Sequence, residues 1–191
     1  ILKKAEGAGD KAEDFFAVYS TSPFVLPVGK KADKTDAEVA FYIVSRVAGE
    51  GSDRFADKGD YYLREEELQM LADVCKYHRD VIVVVNTGGL VDLSFMDTFK
   101  NICGLLQIVQ PGMEGGHAFA DVVSGKVNPS GKLTDSWAYQ YEDYPNSAKY
   151  SHNNGNVEIE TYDEGIYVGY RYFDSFGVSV RYSFGYGQSY T

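Results

Sequence analysis

The sequence predicts an α/β fold, a mostly parallel sheet sandwiched between helices, followed by an irregular aromatic-rich tail. Two short, almost unbroken apolar runs, Val39–Ser45 (VAFYIVS) and Val81–Asn86 (VIVVVN), are rich in β-branched residues and read as strands buried on both faces. Between them, Leu63, Leu68, Leu71, Ala72 and Cys75 recur at helical spacings over Leu63–Tyr77. A strand, a helix and a second strand in that order form a crossover, which parallel neighbours require.

The remaining elements follow from local signals. Residues 1 to about 14 are charged and small and read as the solvent-facing end of a helix and a turn, and FFAVYS after them as a short strand. Pro23 and Pro27 punctuate an irregular link, and Lys30–Asp36 is a charge run expected to be a solvated loop. Glu65, Glu66 and Glu67 stand in the first turn of the 63–77 helix, where its dipole favours negative charge, and are expected to face solvent. Thr87-Gly88-Gly89 closes the strand that ends at Asn86. Asp97–Cys103 is expected to be a short helix, Leu105–Val109 a third strand, Pro111–Gly116 its exit loop, and Ala118–Val123 a helix ending before Gly125. In a parallel sheet, the loops 46–60, 86–90 and 110–116 then share the rim at the strands' carboxyl ends, where open α/β sheets hold ligands. From Asn128 the chain is expected to wrap over the domain, with the tyrosines and phenylalanines of Tyr162–Asp174 and Arg181–Thr191 packing against the sheet and a neighbouring domain.

Composition narrows the function. A chain of 191 residues suits one domain with a real core. Its 28 acidic against 18 basic residues leave a net charge of −10, which argues against nucleic acid as a partner. No apolar run approaches the roughly 20 residues of a membrane helix. The opening, ILKKAEGAGDKAED, has neither an initiating methionine nor a signal-peptide core and reads as the start of an excised fragment. Cys75 and Cys103 are isolated; two buried, reduced thiols are expected, which favours a reducing, cytoplasmic setting over a secreted one.

One stretch joins strand to chemistry. Arg46–Arg54 (RVAGEGSDR) follows the first apolar strand and sets Glu50 between Gly49 and Gly51, which free the backbone to take positive φ and leave room for another molecule. Taken with Val81–Ser94 (VIVVVNTGGLVDLS), Pro111–Trp137 (PGMEGGHAFADVVSGKVNPSGKLTDSW), Tyr162–Asp174 (YDEGIYVGYRYFD) and Arg181–Thr191 (RYSFGYGQSYT), it resembles the α/β-sandwich domain of glycoside hydrolase family 3, the family of β-glucosidases and related exo-acting enzymes. The resemblance runs from about residue 39 to the end and departs mildly where Ala48 replaces the commoner serine. It implies that Glu50 is the general acid/base, that the nucleophile is an aspartate in a separate barrel domain absent from this chain, and that the substrate is a β-linked glucoside or short oligosaccharide. With that aspartate outside the chain, this single domain holds half a site and is expected to be inactive alone; the resemblance also implies an earlier strand that nothing in residues 1–191 matches.

Such an acid/base needs a raised pKa. Arg46 and Arg54 would lower it if they pointed at Glu50, whereas Asp53, the missing aspartate and desolvation under a docked barrel would raise it. Glu50 is therefore expected to titrate as an ordinary glutamate until the barrel is in place. Neither a cofactor nor a metal is expected, since His78, His117 and His152 are far apart and no Cys-x-x-Cys occurs. His117 opens a helix on the active rim and reads as a packing or surface residue, with sugar contact the lesser alternative. Glu114 and Glu164 are expected to bond backbone at a helix start or turn. No Gly-x-Ser-x-Gly elbow and no G-x-G-x-x-G fingerprint appears. The alternatives are a β-xylosidase or β-N-acetylglucosaminidase of the same family, and a non-catalytic carbohydrate-binding or docking module that has kept the fold.

Overall fold

The computed structural model describes residues 16–20, 37, 39–47, 53–150, 155–156 and 158–189. Four strands form one parallel sheet in the order β1 (Phe16–Ser20), β2 (Val39–Ser45), β3 (Asp80–Asn86) and β4 (Ile102–Gln107). The strand read in FFAVYS is thus the neighbour of β2, in a register that sets Phe16 beside Val39. Both all-apolar runs are strands as expected, β3 beginning one residue earlier, at Asp80.

Alternation along β2 sends its side chains to two faces, and a helix covers each. Tyr42 lies under α1 (Glu65–Tyr77), where its hydroxyl donates to the main-chain oxygen of Glu67 at 2.8 Å. Burial drives the Tyr42 phenol well above its ordinary pKa, so it stays a neutral donor. Phe41, one residue earlier and on the other face, meets Phe119 of α2 (Gly115–Val123) edge to face at 5.2 Å between ring centres. The larger core lies on the α1 face, where Ala40, Tyr42, Val44, Val81, Val83 and Val85 pack against Leu71 and Val74. At the far end of α1, Asn101 donates to the carbonyls of Cys75 and His78, both at 2.9 Å, and so satisfies acceptors that a helix end leaves open.

Two expectations are corrected here. Asp97–Cys103 is not a helix: a 3₁₀ turn spans Ser94–Asp97, and Cys103 already belongs to β4, which begins and ends earlier than the predicted third strand. A short apolar run such as ICGLLQ carries no period that separates the two states. The cysteines are not both buried either. Cys75 is half-buried in α1, whereas Cys103 is exposed on β4. Burial raises the Cys75 thiol to about 11. Cys103 is therefore expected to take up a maleimide first, and a time course of the modified peptides by mass spectrometry would show the order.

The tail is more regular than the sequence suggests. β5 (Trp137–Ala138) pairs antiparallel with β6 (Val180–Tyr182), and Trp137 of β5 is buried in the core on the α1 face. Between them, α3 (Tyr170–Phe176) buries Phe173 against Tyr144, which itself approaches the buried Tyr61 edge to face. Arg181 of β6 donates two hydrogen bonds to Asp97, at 2.9 and 2.6 Å, and fastens the tail to the 3₁₀ turn before β4. Other aromatic and apolar residues of the tail point outward, with Tyr162 and Ile166 88% and 75% exposed.

Candidate active site

Strands β2, β3 and β4 end level with one another. The Arg46 N–H donates to Asn86 O at 3.2 Å and the Ile108 N–H to Val85 O at 3.0 Å, so both ladders run to the last residue and release their chains at one rim. Three loops leave from it, after β2, β3 and β4, as the parallel order requires. Exposed apolar side chains stand on it, Val47 just past β2 and Val109 and Met113 past β4. The chain after β4 is held in an uncommon conformation, with Val109 and Gln110 at φ 37° and 47°. Such left-handed backbone is rare for a β-branched residue.

Glu50, the sequence's candidate acid/base, lies outside the described residues; Val47 and Asp53, three residues to either side, are the nearest described. What the structure does describe is how both flanks of that segment are held. Arg46 turns inward and is 9% exposed. Its guanidinium makes a two-pronged pair with Glu67, Nη1 to Oε1 at 2.9 Å and Nη2 to Oε2 at 2.8 Å, and its Nε donates to Asp60 O at 2.8 Å. Arg54, on the returning side, donates from Nε to Asp60 Oδ1 at 2.5 Å and from Nη1 to Leu90 O at 2.6 Å. Both arginines whose charge could have acted on Glu50 are thus paired with carboxylates of their own.

Glu67 corrects the expected acidic turn. Glu65 and Glu66 do face solvent, but Glu67 is only 3% exposed and also accepts the Arg64 N–H at 2.8 Å. Burial opposes its charge, yet the hydrogen bonds from Arg46 and the Arg64 N–H, with the charges of both arginines, outweigh it and hold the carboxyl below its ordinary pKa. Sequence reasoning passed over both Glu67 and Asp60. Three consecutive glutamates look alike on paper, and the signal that singles one out is an arginine 21 residues away.

The other named residues stay apart from this arrangement. Glu114 and His117 form an exposed pair, Oε2 to Nδ1 at 2.7 Å, so the Glu114 side chain bonds to a side chain and not to the helix start as expected. At Glu164 it is the main-chain oxygen that acts, accepting the Tyr167 N–H at 2.9 Å in a turn. Among the described residues, no group of three or more His, Cys, Asp or Glu could hold a metal ion.

Comparison with known proteins places the fold. Residues 27–170 match the model of the glycosyl hydrolase family 3 C-terminal domain. The chain is 39% identical to β-glucosidase A of Butyrivibrio fibrisolvens over 180 residues, covering 81% of this chain and 21% of the relative. It is 37% identical to an exo-α-(1→6)-L-arabinopyranosidase of Bifidobacterium longum, covering 75% of this chain and 18% of that protein. Among solved structures, β-glucosidase 3B from Thermotoga neapolitana in complex with glucose is 40% identical with a TM-score of 0.73, over 81% of this chain and 22% of that one. The chain spans about a fifth of the length of the relatives it matches. It belongs to glycosyl hydrolase family 3, of which it carries the C-terminal domain.

Proposed function

We propose that this chain is the second domain of a retaining, exo-acting β-glucosidase, where it closes the active site of a separate barrel domain and supplies Glu50 as general acid/base. The observation that carries the reading is the anchoring of the segment 47–53 on both sides at the strands' carboxyl rim, by arginines whose charges are already matched. Arg46 and Arg54, the two cations that flank this segment in sequence, are engaged by Glu67 and Asp60. The apolar side chains of Val47 and Met113 on the same rim suit a surface that a second domain covers.

Retaining hydrolysis uses two carboxyl groups about 5–5.5 Å apart across the scissile bond. The barrel's aspartate attacks the anomeric carbon while protonated Glu50 gives its proton to the departing glycosidic oxygen. The Glu50 carboxylate then takes a proton from the water that cleaves the glycosyl ester, returning both groups to their starting states. Similar identities to a β-glucosidase and to an arabinopyranosidase support a domain that serves the proton transfer while the barrel selects the sugar. A β-xylosidase or β-N-acetylglucosaminidase would differ in that barrel.

The test is hydrolysis of a nitrophenyl β-glucoside by this chain alone and then mixed with the barrel-bearing remainder of its parent. Turnover is expected only in the mixture. Turnover by the chain alone would put the nucleophile here and overturn the domain assignment. In the full-length parent, Glu50→Gln is expected to abolish turnover while sugar affinity persists. Little change would favour a carbohydrate-binding or docking module instead.

A further inference from the structure

We propose that Asp60 is a positioning residue for this proton transfer, because it fastens both flanks of the segment that carries Glu50; the inference rests on the assignment of Glu50 above. Its main-chain oxygen accepts from Arg46 Nε at 2.8 Å, on the outgoing side of the segment. Its carboxylate accepts on the returning side, Oδ1 from Arg54 Nε at 2.5 Å and Oδ2 from the Phe55 N–H at 2.6 Å. One residue thus holds the first arginine by its backbone and the second by its side chain.

Asp60 is itself held. The loop around it is closed by hydrogen bonds from Gly59 N–H to Tyr62 O at 2.8 Å, Asp60 N–H to Asp57 O at 3.2 Å and Tyr61 N–H to Phe55 O at 3.3 Å. Gly59 sits at φ 94°, where a side chain would be strained. Tyr61 O accepts the Asp92 N–H at 2.8 Å, which ties this loop to the exit of β3. Arg54 reaches the same exit at Leu90 O, lying over Gly89, where an added Cβ would stand 2.9 Å from Arg54 Nη1. The side chains of Arg54 and Asp60 are 18% and 26% exposed, so the pair is shielded more than an ordinary surface ion pair.

Asp60 reaches the reaction through Arg46, Arg54 and the backbone. Its contribution is orientation: a reacting group misplaced by about 1 Å can lose roughly 10²-fold in rate. That loss has a signature. Proton donation matters most when the leaving group is a poor one, and least for dinitrophenolate, which departs without a proton.

The test is made in the full-length parent enzyme with Asp60→Asn and Gly89→Ala, measuring kcat/KM over glucosides graded by leaving-group pKa. Asparagine turns one acceptor into an NH₂ group facing a donor, so either Arg54 or the Phe55 N–H loses its partner. Gly89→Ala displaces the Arg54 guanidinium and leaves every carboxylate in place. Both variants are expected to lose about 10–100-fold on alkyl glucosides and to stay close to wild type on the dinitrophenyl glucoside. Should Asp60→Asn fail to fold, Gly89→Ala carries the test alone. Wild-type kinetics, or a loss equal for every leaving group, would overturn the proposal, since a merely structural defect lowers all substrates together. Glu50→Ala measured in parallel separates the two failures. If it lacks leaving-group dependence, the acid/base assignment is wrong, and if it shows that dependence while the other variants do not, Asp60 has no positioning role.

Discussion

Glu50→Ala in the full-length parent is expected to cut kcat/KM for glucosides with poor leaving groups by about 10²–10⁴-fold, the range that positioned general acid–base catalysis contributes. Dinitrophenyl glucoside should still form the glycosyl ester, because its phenolate leaves unaided. With no carboxylate to activate water, the ester should then accumulate and produce a burst followed by slow turnover. Azide, a small anion that needs no deprotonation, is expected to enter the space left by the carboxylate and release β-glucosyl azide with retained configuration. Unchanged turnover on alkyl glucosides would remove Glu50 from the mechanism.

Replacing Glu67 by alanine is expected to have the largest effect on stability. The Arg46 guanidinium would be left buried without its partner, and breaking a buried pair from one side costs about 3–5 kcal/mol. The Arg64 N–H at the start of α1 would lose its acceptor as well. A urea midpoint within error of wild type would show that water or another acceptor replaces the carboxylate. The double change Arg46→Met with Glu67→Leu should recover much of the loss, because neither charge remains to be buried. Glu67 also sets a pH dependence with a definite sign. Its folded pKa lies below the ordinary value, so its contribution is complete above the unfolded-state pKa of about 4.3 and is lost as pH falls through the folded value. The Glu67→Gln variant should lack that acid-side loss, which melting curves across this range would reveal.

Much of this was legible in the chain itself. The runs VAFYIVS and VIVVVN are strands because nearly every position is apolar and many are β-branched, a pattern that holds wherever two layers cover a sheet. Helix α1 shows its period plainly. The family, too, was legible, since five motifs in order identify it without coordinates. ICGLLQ was misread as helix in its first half because so short an apolar run has no period, and only pairing with β3 makes it a strand. Trp137 gave no local sign that it enters the core.

Sequence by itself determined the parallel α/β layering and the shared rim, through residue type and local spacing, and the family, through its ordered motifs; the resemblance, not spacing, is what puts Glu50 forward as the proposed acid/base. Tertiary structure decided where the charges go. Arg46 and Arg54 flank Glu50 in sequence, yet they turn to Glu67 and Asp60. Glu67 leaves two solvent-facing neighbours to meet an arginine 21 residues before it. The physical reason is that an ion pair withdrawn from water persists only where both partners and their remaining hydrogen bonds arrive together. That meeting depends on how β2, α1 and the 55–62 loop pack, which no window of sequence contains.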